Sequence, residues 1–250
     1  MNRAKLVCMS LMFVGCSFLL AQDDDKIKSG PKVGAALPKP FEVFNVNGPA
    51  KGRPRCLVCK FALSPSVLIF VRKPAEDKDK PVEWDKAFTE LLRQFDKVAL
   101  EFEETNFSAG VVVISPDARD STNNAQAGSV GDLTKDLDKD SDEAAQRIRV
   151  QAKKLIDEAI SRANLLKGLT ERTGGLKHVV VGFVPEVPKD FEINPKAEVT
   201  IIFYERIRVT GIYAYGPGAM RETDVKMIVD RVRKALEGKP VPAEEKAPKR

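Results

Sequence analysis

Two uninterrupted apolar runs, Val67-Leu68-Ile69-Phe70-Val71 and Gly110-Val111-Val112-Val113-Ile114, set the tightest limit on how this chain can fold. A strand that is apolar at every position has both faces covered, as in a sheet packed by helices on two sides. Between the runs, Trp84, Phe88, Leu91, Leu92 and Phe95 recur at helical spacing, which predicts one amphipathic helix. Upstream, residues 41–46 alternate apolar and polar, the period of a half-buried strand that Asn47-Gly48-Pro49 ends. Downstream, Ser141 is placed to cap a long helix with the stripe Ile148, Ala152, Leu155, Ile156, Ala159 and Ala163. His178 to Val184 reads as a further strand, and residues 199–204 and 207–215 as an antiparallel pair turning at Glu205-Arg206. Val225, Ile228, Val229, Val232 and Leu236 place a last helix. This order predicts an α/β fold with a mixed central sheet, helices on both faces, and a C-terminal antiparallel hairpin followed by a helix.

The two ends of the chain are of other kinds. Arg3 and Lys5 precede an uncharged run from Leu6 to Ala21, the pattern of a signal peptide over residues 1–21, and the run is short for a membrane span. Val14-Gly15-Cys16 is a partial lipoprotein box, but Ser17-Phe18-Leu19-Leu20 continue the apolar run where a lipoprotein turns polar. Residues 22–40 read as a polar linker, 41–237 as the domain, 117–140 as a flexible insertion and 238–250 as a disordered tail. The location this implies is extracytoplasmic, with no membrane span once the signal is removed.

Charge narrows the partners. The formal net charge is +5, and loss of Arg3 and Lys5 with the signal leaves +3. That surplus is small and evenly spread, with no basic stripe interleaved with exposed aromatics, so nucleic acid is not an expected partner. Of the four cysteines, Cys8 and Cys16 lie in the signal, which leaves Cys56 and Cys59, spaced C-x-x-C.

Several words in the chain resemble the thioredoxin-like superfamily, in particular its extracytoplasmic redoxin branch, over roughly residues 33–237. Val33-Gly34, Leu37 and Phe41-Glu42-Val43 look like the segment leading into the first redoxin strand. Phe191-Glu192-Ile193 with residues 199–204, and Arg208-Val209 with residues 211–218, look like the fourth core strand and the closing hairpin. A C-x-x-C just before the first core strand is similar to secreted thioredoxin-like proteins of Planctomycetes-type bacteria. The resemblance implies a thioredoxin-like three-layer α/β/α sandwich and thiol–disulfide chemistry. Two departures stand against the usual catalytic arrangement. Working members carry cysteine after the first core strand, whereas Arg72-Lys73-Pro74 follows it here; and Val199 occupies the place of their cis-proline, with Pro195 four residues early.

For Cys56-Leu57-Val58-Cys59 the residues leave several readings open. A structural disulfide suits an oxidising compartment, although closing so short a loop constrains the unfolded chain by only about 2 kcal/mol. A redox pair is the second: Arg53, Arg55 and Lys60 surround it, and neighbouring cations favour thiolate. Cys56 is then the expected attacking thiol and Cys59 the resolving one. A metal site lacks ligands, since His178 is far off in sequence, and covalent haem lacks the histidine after Cys59. Asp136, Asp138, Asp140 and Asp142 imitate a calcium loop, but Ser141 and Arg147 stand where glycine and glutamate belong. No cofactor and no metal is expected. Two functions follow as alternatives: thiol–disulfide exchange or redox response with other thiol or disulfide proteins of the cell envelope, or a non-catalytic binding module with Cys56–Cys59 as a structural disulfide.

Overall fold

A computed structural model describes residues 27–72, 84–118 and 143–238 of the chain. The strands are β1 (Val43–Asn45), β2 (Pro54–Arg55), β3 (Ser66–Arg72), β4 (Ser108–Ile114), β5 (Val179–Val184), β6 (Val199–Glu205) and β7 (Arg208–Tyr215). The helices are α1 (Leu57–Phe61), α2 (Lys86–Glu101), α3 (Glu143–Thr173) and α4 (Glu222–Leu236). Among the described residues all the strands join one sheet in the order β2-β1-β5-β4-β3-β6-β7. Neighbours β5, β4 and β3 run parallel, while β1, β2, β6 and β7 pair antiparallel to their neighbours. The signal, the acidic Asp136–Asp142 run, Ser141 and most of the 117–140 insertion and the tail lie outside the described residues.

The two apolar runs are central because alternate side chains serve opposite layers. Val67, Ile69, Val71, Val111, Val113, Val181 and Ile201 enter one core with the apolar stripes of α2 and α4. Leu68, Phe70, Val112, Val180, Ile202 and Tyr204 enter a second core, with Leu57, Val58 and Phe61 of α1. Helices therefore cover both faces, but the three helices read from the sequence all pack in the first core, and of the helices only the short α1 covers the second. The second layer is thin, and segments without regular structure complete it: Phe41 stacks on Phe70 with ring centroids 5.9 Å apart, and Phe191 meets both rings at 5.1 Å.

Three elements differ from the sequence reading. Residues 27–40, expected as part of a linker, form a strap across the second face. Gly34 N–H donates to Val209 at 2.8 Å, Leu37 N–H donates to Ile207 at 2.8 Å, and the buried hydroxyls of Ser29 and Thr200 lie 2.7 Å apart. Two of these bonds are made by the backbone, and only the Ser29 hydroxyl comes from the polar composition that suggested a linker. The hairpin turns at Arg206-Ile207, because Glu205 pairs with Arg208; both turn residues have positive φ, 50° and 59°, the geometry that matches strand twist in a two-residue loop.

The long helix is the third. At 31 residues α3 spans roughly 45 Å, more than twice the length of β3, so only part of it meets the sheet. Ala152 of the expected stripe is buried, but Ile148 is 52% exposed and Ala163 is exposed. The anchor is instead the C-terminal half, where Leu165 and Leu169 are buried. There Arg162 lies over the rings of Phe44 and Phe183, 4.9 and 5.3 Å from their centroids, and donates to the Ala118 carbonyl at 2.8 Å.

Side chains fix the edges of this frame. Asp96 on α2 accepts three backbone N–H groups on one carboxylate oxygen, from Lys177 (3.0 Å), His178 (2.7 Å) and Val179 (2.9 Å), and so clamps the start of β5. His178 contributes its backbone there and its side chain is exposed. At Gly182 an added Cβ would stand 2.7 Å from the Phe44 carbonyl oxygen, so only glycine lets β1 lie this close to β5.

Candidate functional site: the Cys56–Cys59 turn

The chain leaves the β1–β2 pairing at Arg55 and enters α1 within one residue. Cys56 is the N-cap, in extended conformation, and its Sγ accepts the Cys59 backbone N–H at 3.0 Å. This short helix is the element that sequence reasoning missed. Its signal was present: Leu57, Val58 and Phe61 are spaced to fall on one side of a helical turn, and all three are buried. The partner surface was not legible in advance. Gly110 on β4 has no side chain, so Phe61 and Leu57 settle directly onto the strand, within 2.9 and 3.0 Å of where a Cβ would be.

Cys56 is half-buried and Cys59 exposed. Burial pushes the Cys56 thiol above its ordinary pKa, and the Cys59 side chain adds to the rise; the N–H groups of Cys59 and Phe41 oppose it. None of the three basic neighbours is among the causes. Arg53, Arg55 and Lys60 are exposed, and the rise in the Cys56 pKa comes from burial and from Cys59.

Tyr204 lies in the same apolar cluster as Cys56. Its side chain is fully buried and its hydroxyl has no hydrogen-bond partner among the described residues. Burial raises its pKa far above the usual phenol range, Ser66 opposes this, and charge on Cys56 or Cys59 would raise it further. An orphaned phenol therefore stands within electrostatic reach of both sulfurs. Nothing in the sequence marked Tyr204 except its place in the alternation Thr200, Ile202, Tyr204 that faces the second layer.

The position where the resemblance would put the active site is elsewhere. α1 leads into β3 at Ser66, and Tyr204 pairs with Ser66 in the sheet register. Arg72, at the far end of β3, is about 20 Å away at the rise of an extended strand. There its guanidinium approaches the Ile193 carbonyl at 3.5 Å, and its backbone N–H donates to Glu198. The Val199 peptide is trans; among the described residues no peptide bond is cis. Also among the described residues, no three His, Cys, Asp or Glu side chains gather closely enough to hold a metal ion.

A central β3 with β4 and β5 parallel on one side, and the antiparallel β6–β7 hairpin followed by α4 on the other, defines a thioredoxin-like α/β fold. Among solved structures, the chain is similar to an uncharacterised conserved protein from Geobacillus kaustophilus, at 12% identity and TM-score 0.48 over 86% of this chain and 87% of that one. It is similar also to a putative thiol:disulfide interchange protein DsbE from Chlorobium tepidum, at 14% identity and TM-score 0.43 over 82% and 98%. A reduced 2-Cys peroxiredoxin from Plasmodium vivax aligns at 13% identity and TM-score 0.43 over the same shares. No family model and no curated protein matches the chain.

Proposed function

We propose that this protein is an exported thiol–disulfide protein of the redoxin type that works through Cys56 and Cys59 from a position displaced off the usual site. The observation that carries the reading is the turn itself. Cys56 caps α1, its sulfur holds the Cys59 N–H at 3.0 Å, and one sulfur is exposed while the other is half-buried. Two cysteines separated by one helical turn lie within reach of a disulfide. Export rests on the signal-like residues 1–21; among the described residues no helix is long and apolar enough to cross a membrane.

In this reading the roles are assigned by exposure, the other way round from the expectation that Cys56 attacks. Cys59 is the sulfur a partner can reach, and Cys56, with its raised pKa, resolves. In the half-reaction that oxidises the pair to a Cys56–Cys59 disulfide, the Cys59 thiolate attacks a partner disulfide, forms a mixed disulfide and releases one partner thiolate. The Cys56 thiolate then attacks the Cys59 sulfur and releases the second. The partner gains two electrons, and the two protons given up by the cysteines pass to the departing thiolates. The partners are other thiol or disulfide proteins of the cell envelope.

A second reading has one observation behind it. Because burial makes Cys56 a poorer thiolate, the pair also suits a structural disulfide in a non-catalytic binding module. The reduction potential separates the two. A value above about −270 mV supports exchange, and one below about −300 mV supports the structural disulfide. Under the exchange reading Cys56→Ser accumulates mixed disulfides through Cys59, and Cys59→Ser does not; equal trapping by both variants overturns the assignment of roles.

A further inference from the structure

On the flank of α1 beside the thiol pair lies a small cleft of about 100 Å³ whose walls include Asn45, Ala50, Arg55, Leu57, Lys60 and Val180. Its polar groups are unbalanced. Lys60 has its pKa lowered by burial and then by the charge of Arg55, so two cations share one wall. Neither has an ion pair among the described residues; the Phe61 ring lies 5.8 Å from the Lys60 ammonium. Like charges held together without a carboxylate raise the energy of the empty site, and an anion would lower it.

Asn45 completes the wall from below and is 1% exposed. Its Nδ2 donates to the carbonyls of Arg53 at 3.2 Å and Val43 at 3.4 Å, which fixes the orientation of the amide. Its Oδ1 is left with no donor among the described residues. A buried acceptor without a donor is uncommon in folded proteins and is a group that a ligand N–H can satisfy.

We infer that this cleft binds an α-amino or α-amido carboxylate: the carboxylate meets Arg55 and Lys60, and the N–H on the α carbon donates to Asn45 Oδ1. Two sources share that chemistry, a free amino acid and the C-terminal residue of a peptide. The cleft, about 100 Å³ and open on one side, has room for one such residue. The inference stands on the cleft alone and does not depend on the redox role of the cysteines, so failure of one leaves the other intact.

The test is an NMR titration of the full chain under reducing conditions with acetate, glycine and N-acetylglycine, following the backbone amides of Leu57 and Val180 and the Asn45 side-chain amide. Glycine or N-acetylglycine shifts these signals and binds about tenfold more tightly than acetate, the difference being the bond to Asn45. Preference for glycine identifies a free amino acid, and preference for N-acetylglycine a peptide end. Lys60→Gln and Arg55→Gln, both at exposed positions, each weaken binding by about fivefold or more without changing the fold, read from the remaining amide signals. Acetate binding as tightly as either amino compound, shifts confined to other surfaces, or no shift at all overturns the inference.

Discussion

Adding one methyl group at Gly110 presses directly on the helix that carries both cysteines. A Cβ there stands 2.9 Å from Phe61 Cε2, 3.1 Å from Phe61 Cζ and 3.0 Å from Leu57 Cδ1, where ordinary contacts begin at 3.4 Å. Either α1 lifts by about half an ångström or the Phe61 ring leaves its place in a close-packed core. Overpacking of this kind costs about 1–3 kcal/mol, and the lost freedom of glycine in the unfolded chain returns about 0.4–1 kcal/mol. Gly110→Ala is therefore expected to destabilise by about 1–2 kcal/mol. Trp84, the sole tryptophan, reports urea unfolding, and alkylation read by mass spectrometry reports each cysteine. As α1 lifts, Cys56 gains exposure and is alkylated faster, while Cys59, exposed from the start, changes little. Phe61→Leu in the same chain relieves the clash, so the double variant recovers part of the loss and the cycle shows a coupling of about 0.5 kcal/mol or more. Unchanged stability together with unchanged Cys56 labelling would refute the packing of α1 on β4.

Asp96→Ala removes a carboxylate oxygen that accepts three N–H groups at the start of β5, and should cost about 2–4 kcal/mol with faster amide exchange at residues 177–179. Loss below about 1 kcal/mol would mean that water replaces the clamp without penalty. For Tyr204, burial raises the folded pKa above the unfolded value, so its contribution to stability is fully present below pH about 10 and is lost as pH rises beyond it. A titration at 295 nm should show one of the three tyrosines ionising only on unfolding, and Tyr204→Phe should remove that step; three tyrosines titrating in the folded protein would contradict it. Ile207, a β-branched residue at φ 59°, carries left-handed strain of about 1–2 kcal/mol, of which Ile207→Gly should recover about 0.5–1 kcal/mol as a higher Tm. A lower Tm would show that its side chain contributes more than the strain costs.

What was legible in the sequence follows from where burial is two-sided. β3, β4 and β5 are buried at nearly every residue, and an unbroken apolar run has no other common meaning in an α/β chain. The stripes of α2 and α4 were equally plain, because each helix has one wet face. α3 misled because its polarity hides which part docks: Leu165 and Leu169 have helical spacing but lie beyond the stripe read from the sequence, and the arginine over two aromatic rings is a contact that hydrophobic periodicity cannot show. The cysteine pair was visible and its surroundings were not. Charge spacing predicted activation by Arg53, Arg55 and Lys60, yet sequence distance says nothing of direction. The group that governs Cys56 is the apolar layer it packs against, joined there by Tyr204, which lies 148 positions further along the chain.

The strap over the second face bears on the order in which the protein can be assembled. Ser29 meets Thr200 and Gly34 meets Val209, so contacts between the two ends of the chain, 171 positions apart in the first case, close the layer that holds α1. Emerging N-terminus first, residues 28–37 have no place to dock until β6 and β7 have been made. The cysteine turn thus stays uncovered through most of synthesis or translocation, open to oxidants and exchange partners, and its final environment is set by the last strands to arrive. Contacts of such separation are slow to form. A chain cut before β6 would keep the α1 sequence and both sulfurs yet lose the wall behind them, and the Cys56 pKa should fall back toward its ordinary value.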